Sequence, residues 1–143
     1  MSPRRNQHGQ TALLIVGFFL VAVLLVGVVV DASAAYLRRQ SLNSLADGAA
    51  LAAADGARAS GVYAAGLGGA AEVDEEIARR YAAEYLAESQ AGRRYPGLTY
   101  RVDAVGDSVV VRLVAPLRLP IPPPGFTRPP QVSGEASAVV LVD

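Results

Sequence analysis

The feature that most constrains this chain is a run of twenty uncharged, mostly apolar residues from Thr11 to Val30. A helix rises about 1.5 Å per residue, so such a run covers roughly 30 Å, which is the hydrocarbon thickness of a bilayer. The apolar region of a cleaved secretory signal is shorter, about 7–15 residues, and ends at a small-residue cleavage site. The apolar run of this chain is twenty residues long. The sequence therefore predicts a permanent transmembrane helix over residues 10–31, and the alternative is the buried core helix of a soluble protein.

Composition excludes several classes of function. The chain has 143 residues, which leaves enough outside the span for one small domain. It carries 13 basic and 13 acidic residues, so no nucleic-acid partner is indicated. The absence of cysteine rules out disulfides and thiolate metal sites, and the single histidine, His8, precedes the span. We therefore expect a protein that is not an enzyme and that has no catalytic residues, no cofactor and no metal.

The charges that flank the span predict its orientation. Residues 1–9 form a polar tail with Arg4 and Arg5 and no acid, whereas the other side begins with Asp31. The positive-inside rule then favours a cytoplasmic N-terminus and an extracytoplasmic C-terminal domain of a bacterial cell-membrane protein. Asp31 itself either marks the water boundary or pairs with an arginine of a neighbouring subunit, where burial would make the pairing obligatory.

An alanine-rich segment follows the span without a helix breaker. From Leu42 to Ala52 its apolar residues recur at three- and four-residue spacing, which predicts an amphipathic helix with a face of small residues. We expect one continuous helix of more than forty residues, with residues 32–59 standing in solvent as a stalk. Gly48 and Ala52 form a small-xxx-small pair that favours close packing on another subunit, although small residues are also simply compatible with helix.

The rest of the chain predicts a small α+β domain over residues 72–143. Residues 60–71 contain four glycines and indicate a flexible connector. A helix is expected from Glu72 to Ala91, with acids in its first turn and Gly92 as its C-cap.

Beyond Leu98 the apolar period changes to two, which is typical of strands. Gly106-Asp107 predicts a tight hairpin turn, and the strand after it should bury alternate residues from Val109 to Leu117. Residues 120–131 form a proline-rich loop, and Gly134–Asp143 is the third strand. The predicted fold is a membrane-anchored, pilin-like α+β architecture: a long N-terminal transmembrane helix extending into a stalk, and a second helix packed on a three-stranded antiparallel sheet. The apolar face of the sheet needs a cover, for which the second helix and the long N-terminal helix are both available.

The region from Arg5 to Ala57 resembles the N-terminal region of TadE/TadG-like proteins of the tight-adherence (Flp) pilus system. The resemblance rests on a basic leader with Arg5 and Gly9-Gln10, on the apolar span, and on the segments that follow it. These segments are Asp31, Tyr36, Arg38-Arg39-Gln40 and the stretch ADGAALAAA from Ala46 to Ala54.

The resemblance implies a pseudopilin-like membrane protein that assembles with other pilus or secretion subunits, as a homo- or hetero-oligomer. It also implies a processing point for a prepilin peptidase between Gly9 and Gln10. Substrates of that peptidase in this family usually carry a glutamate five residues after the cut, where this chain has Leu14. An anchor that is left uncut is therefore the alternative.

Two functions remain open at this point. The first is a non-enzymatic, membrane-anchored structural or assembly component of a Flp/Tad-type pilus or related secretion apparatus, held in the bilayer by its first helix. The second is a membrane-tethered binding module for a small molecule or cell-wall component. That module would need a concave pocket with convergent polar groups, such as a deep pocket beside Arg101, Asp103 or Arg112.

Overall fold

The computed structural model describes residues 7–65, 73–121 and 129–140, with side chains from residue 11 to residue 61 in the first range. The apolar run and the alanine-rich segment form a single helix, α1 (Gln7–Ala65), of 59 residues. It contains no proline, and at about 1.5 Å per residue it is roughly 90 Å long. The predicted continuous helix is therefore confirmed. It includes the first residues of the expected connector, whereas residues 66–71 lie outside the described part of the chain.

The second helix, α2 (Glu75–Glu88), begins later than the sequence predicted. The Oδ1 atom of Asp74 accepts hydrogen bonds from the backbone N–H groups of Glu76 and Ile77, at 2.9 and 3.2 Å. Asp74 is thus an N-cap, which satisfies two of the donors that a helix start leaves free. The expected start at Glu72 was wrong because Asp74, a member of the acidic cluster, caps the helix, so that the helix begins after it.

The end of this helix also differs from the prediction. It stops at Glu88 because Gln90 adopts a left-handed backbone conformation with φ of 54°. A short helix, α3 (Ala91–Arg94), follows at once. Gly92 lies inside α3, so its predicted role as the C-cap of α2 was wrong.

Three strands form an antiparallel meander with the second strand in the centre: β1 (Thr99–Val105), β2 (Ser108–Pro116) and β3 (Gln131–Val139). Gly106 has a φ of 64°, and the two-residue turn that it opens with Asp107 has the type II′ signature of a tight hairpin. The predicted turn and sheet are confirmed.

The third strand begins three residues before the predicted Gly134. Gln131 pairs with Pro116, and beyond this pair the Leu117 N–H donates to the Pro130 carbonyl at 2.7 Å. The pairing therefore continues to the end of the proline-rich segment. Of the predicted loop, residues 122–128 lie outside the described residues, as do residues 141–143 at the end of the expected strand.

The sheet has one buried face. The alternate residues of β2 and the residue after it are buried as predicted: Val109, Val111, Leu113, Ala115 and Leu117. Their neighbours on β3 are Ala136 and Ala138, which are also buried. On β1, Val102 is buried, while Tyr100 on the same face stays 45 % exposed at the edge.

The cover of that face comes largely from α1 itself. Seven of its residues are buried against the sheet and α2: Leu42, Ala46, Ala49, Ala50, Ala53, Ala54 and Ala57. The segment that we expected to stand in solvent as a stalk therefore supplies seven of the twenty buried residues of the domain core. A face made almost entirely of alanine allows the neighbouring backbones to come close, because it adds little volume between them.

The helix α2 packs antiparallel to α1 and places tyrosines over its glycines. The ring of Tyr81 lies over Gly56, and that of Tyr85 lies over Gly48, so closely that a Cβ at either glycine would collide with the ring. After α2, the Tyr95 hydroxyl is hydrogen-bonded to Ser41 of α1. The chain thus descends from the C-terminal half of α1 toward the apolar segment.

Candidate membrane and subunit interface

The N-terminal part of α1 presents an apolar surface on all sides. Fifteen large apolar side chains from Leu13 to Val30 are between 43 % and 76 % exposed. Burying one such side chain is worth roughly 1.5–3 kcal/mol, so leaving them in water would cost tens of kcal/mol. The region is long and apolar enough to span a membrane, and its most apolar part is not buried within the molecule. This excludes the alternative of a buried core helix, because nothing in the described part of the chain covers the segment.

The folded part lies directly at the end of this apolar segment. The backbone N–H of Ile121 donates to Oδ1 of Asp31 at 3.1 Å. A Cβ placed on Gly27 would lie 3.6 Å from Cδ1 of Ile121. The chain beyond β2 therefore returns to the point where the span ends, and the domain does not stand at a distance on an exposed rod.

Asp31 is thus engaged within its own subunit. It is half-buried and accepts the bond from Ile121. An ionised carboxylate has about four acceptor positions, so it can bind a further donor at the same time. The predicted pairing of Asp31 with an arginine of another subunit stays a prediction.

The other predicted interface residues lie in different environments. The backbone of Gly9 and Gln10 is in the first turns of α1, while their side chains lie outside the described set. Gly48 contacts Tyr85 of its own chain, and Ala52 is half-buried. A contact of Gly48 or Ala52 with a neighbouring subunit stays a prediction, and at Gly48 it would require Tyr85 to move.

A cation–aromatic cluster near the end of the span escaped the sequence analysis. Tyr95 is 2 % exposed, and the guanidinium carbon of Arg38 lies 4.3 Å from the centroid of its ring. Arg94 flanks the same ring at 5.9 Å. Such contacts contribute about 0.5–2 kcal/mol each. The only signal was the order Arg-Arg-Tyr-Pro after α2, which does not identify Arg38, far away in the sequence on α1, as a partner of Tyr95.

The described residues contain no group of three histidine, cysteine or carboxylate side chains placed to hold a metal. Depressions occur on the surface at the start of α2 and beside β1, and both are open to solvent. The second is lined by Thr99, Tyr100, Arg101, Arg112 and Val114. Arg112 is paired with Glu135 at 2.7 Å, and the depression is open to solvent, whereas a small-molecule site encloses most of its ligand.

The structure is an α+β fold with one candidate membrane span among the described residues, which fits a single-pass protein anchored through its first helix. Residues 9–59 match the Tad family model, described as "Putative Flp pilus-assembly TadE/G-like". The match confirms the resemblance for the N-terminal region and supports a role related to Flp pilus assembly, with the membrane and other pilus subunits as partners. No curated protein and no solved structure matches the chain.

Proposed function

We propose that this protein is a non-enzymatic, pseudopilin-like minor subunit of a Flp/Tad-type pilus or related secretion apparatus. The observation that carries the proposal is that the family match, residues 9–59, covers both the exposed apolar segment and the buried alanine face of one helix. The segment that resembles the family therefore provides both the proposed membrane anchor and part of the domain core. In the proposed orientation the N-terminus is cytoplasmic and the domain is extracytoplasmic.

Assembly would proceed through the span. In lipid, helices associate by close packing and not by the hydrophobic effect, and small residues permit that approach. Gly17 and Gly27 lie within the span, and a Cβ on Gly17 would meet nothing within 4 Å inside the subunit. We expect this surface, with Asp31 at its end, to contact neighbouring subunits.

Disulfide cross-linking in membranes tests the assembly. The chain has no cysteine, so single cysteines can be introduced through residues 14–30 without background. We expect cross-linked dimers at positions that recur every three to four residues, which is the period of one helix face. A cysteine at Ser137, exposed on the outer face of the sheet, is the control. Uniformly absent cross-links would contradict assembly through the span and would favour the tethered binding module.

Processing by a prepilin peptidase is a separate proposal. The cut would fall between Gly9 and Gln10 and would remove the basic leader. Intact mass of the protein purified from membranes should then show a chain that begins at Gln10, and a bulky residue at position 9 should abolish this species. Full-length mass alone would identify an uncut anchor, which is the outcome that Leu14 favours, and it would leave assembly through the span intact.

A further inference from the structure

The formal charge of the chain is zero, yet its charges are distributed unevenly along the molecule. Five arginines lie near the end of the span, and we call them the basal arginines: Arg38, Arg39, Arg93, Arg94 and Arg118. Four of them are exposed, and Arg38 is half-buried. The opposite end, around Gly56 and the start of α2, carries charges of both signs: the acids are Asp55, Asp74, Glu75 and Glu76, and the arginines are Arg58, Arg79 and Arg80.

The height of the basal arginines above the span follows from the rise of α1 and from contacts between α1 and the rest of the domain. Arg38 follows Asp31 by seven residues on the same helix, which is about 10 Å along its axis. Arg94 flanks the ring of Tyr95, whose hydroxyl is bonded to Ser41, about 15 Å beyond Asp31.

Arg118 is held from the other side of the domain. It precedes Ile121, which is bonded to Asp31, by three residues, so chain reach limits its height to about 10 Å. The headgroup layer itself extends roughly 5–7 Å beyond the hydrocarbon. Arg38, Arg94 and Arg118 therefore lie within about a Debye length of the phosphates, and Arg39 and Arg93 adjoin Arg38 and Arg94 in the sequence.

These guanidinium groups have no counter-ion in the described part of the chain. Its two ion pairs are Arg79–Glu75 and Arg112–Glu135, and neither involves a basal arginine. Arg38 and Arg94 approach one ring from separate positions, and the Nε atom of Arg38 is buried without a hydrogen-bond partner. The two positive guanidinium groups beside one ring repel each other, and binding an anion from outside the chain would offset that repulsion.

We propose that the basal arginines bind the anionic headgroups of phospholipids, so that the domain rests on the bilayer with the start of α2 directed away from it. This rests on the proposed membrane anchor, and it holds whichever side of the membrane carries the domain. A guanidinium forms bidentate hydrogen bonds to phosphate oxygens, and one arginine near an anionic surface contributes roughly a fivefold preference.

The test uses the full chain reconstituted in phosphatidylcholine bilayers with trace spin-labelled lipid. Electron paramagnetic resonance measures the association of labelled phosphatidylglycerol relative to labelled phosphatidylcholine. We expect a preference of about fivefold or more at low salt, falling toward one at high salt because the exposed charges are screened. The triple variant Arg39→Gln, Arg93→Gln, Arg118→Gln should show a clearly smaller preference, carried by Arg38 and Arg94, which keep their contacts with Tyr95.

The matched control removes the same charge from the rest of the domain: Arg58→Gln, Arg80→Gln, Arg101→Gln, all exposed residues. It should retain the wild-type preference. Equal association of both lipids with the wild type, or an equal loss in both triple variants, would overturn the lipid contact and leave the anchor standing. Failure of the wild type to enter the bilayer would instead remove the anchor and this inference together.

Discussion

The double variant Leu20→Arg, Leu24→Arg is expected to leave the membrane fraction. Leu20 and Leu24 are 58 % and 69 % exposed near the middle of the apolar segment. On the insertion scale an apolar residue contributes about −0.3 to −0.6 kcal/mol, so fifteen of them contribute roughly −5 to −9 kcal/mol. Arginine at the helix centre costs about 2.5–3.5 kcal/mol, so the two substitutions together remove roughly 6–8 kcal/mol. That loss cancels most of the insertion free energy.

Carbonate extraction of membranes measures this outcome, with the protein expected in the supernatant or degraded. The matched control is Leu37→Arg, Leu51→Arg on the same helix, where the leucines are 63 % and 60 % exposed but lie beyond the span. The control should stay in the pellet, because arginine is tolerated in water or at the headgroups. A span variant that also stays in the pellet would show that the apolar segment is not what holds the protein there.

The span could be predicted because its signal is local. Twenty uncharged residues need no partner to be recognised, and the same holds for the Gly106-Asp107 turn and the alternation along β2. Each of these patterns is set by the physics of one element: the hydrocarbon thickness, a positive φ, or the two-residue period of a strand. The structure confirms the turn and the alternation, and it shows the uncharged run as part of one exposed helix that is long and apolar enough to cross a bilayer.

The role of the alanine-rich segment could not be predicted in the same way. Alanine favours helix and adds little apolar area, so its face gives a weak signal of what it packs against. A face such as Ala46 to Ala57 is equally compatible with a solvated rod and with a tightly packed core. What decides between them is the presence of Tyr81, Tyr85 and the sheet, which lie far away in the sequence.

The arrangement at the end of the span depends on contacts of long sequence separation. Asp31 and Ile121 are 90 residues apart, and Ser41 and Tyr95 are 54 apart. A single sequence shows the charges but not their neighbours, so Asp31 was interpreted as a boundary or intersubunit charge. The folded chain adds an intramolecular donor and brings arginines from distant parts of the sequence near the end of the span.

The substitution Gly134→Ala is expected to destabilise the domain by roughly 2–3 kcal/mol. A Cβ at Gly134 would lie 2.6 Å from the carbonyl carbon of Leu42 and 2.8 Å from the backbone nitrogen of Asn43. Backbone atoms in a helix cannot move aside by a change of rotamer, so β3 and α1 would have to move apart. Overpacking typically costs about 1–3 kcal/mol, and a collision with backbone belongs at the upper end. This glycine lets the sheet approach the helix that anchors it.

Thermal unfolding of the full chain in detergent measures the effect. A loss of 1 kcal/mol lowers the melting temperature of a small domain by about 4–8 °C, so we expect a decrease of roughly 10–20 °C. Gly92→Ala is the matched control, because a Cβ there meets nothing within 4 Å and alanine suits the short helix. If both variants melt at the wild-type temperature, β3 does not pack on α1 as closely as described. The alanine-rich half of α1 would then be the free stalk that the sequence alone predicted.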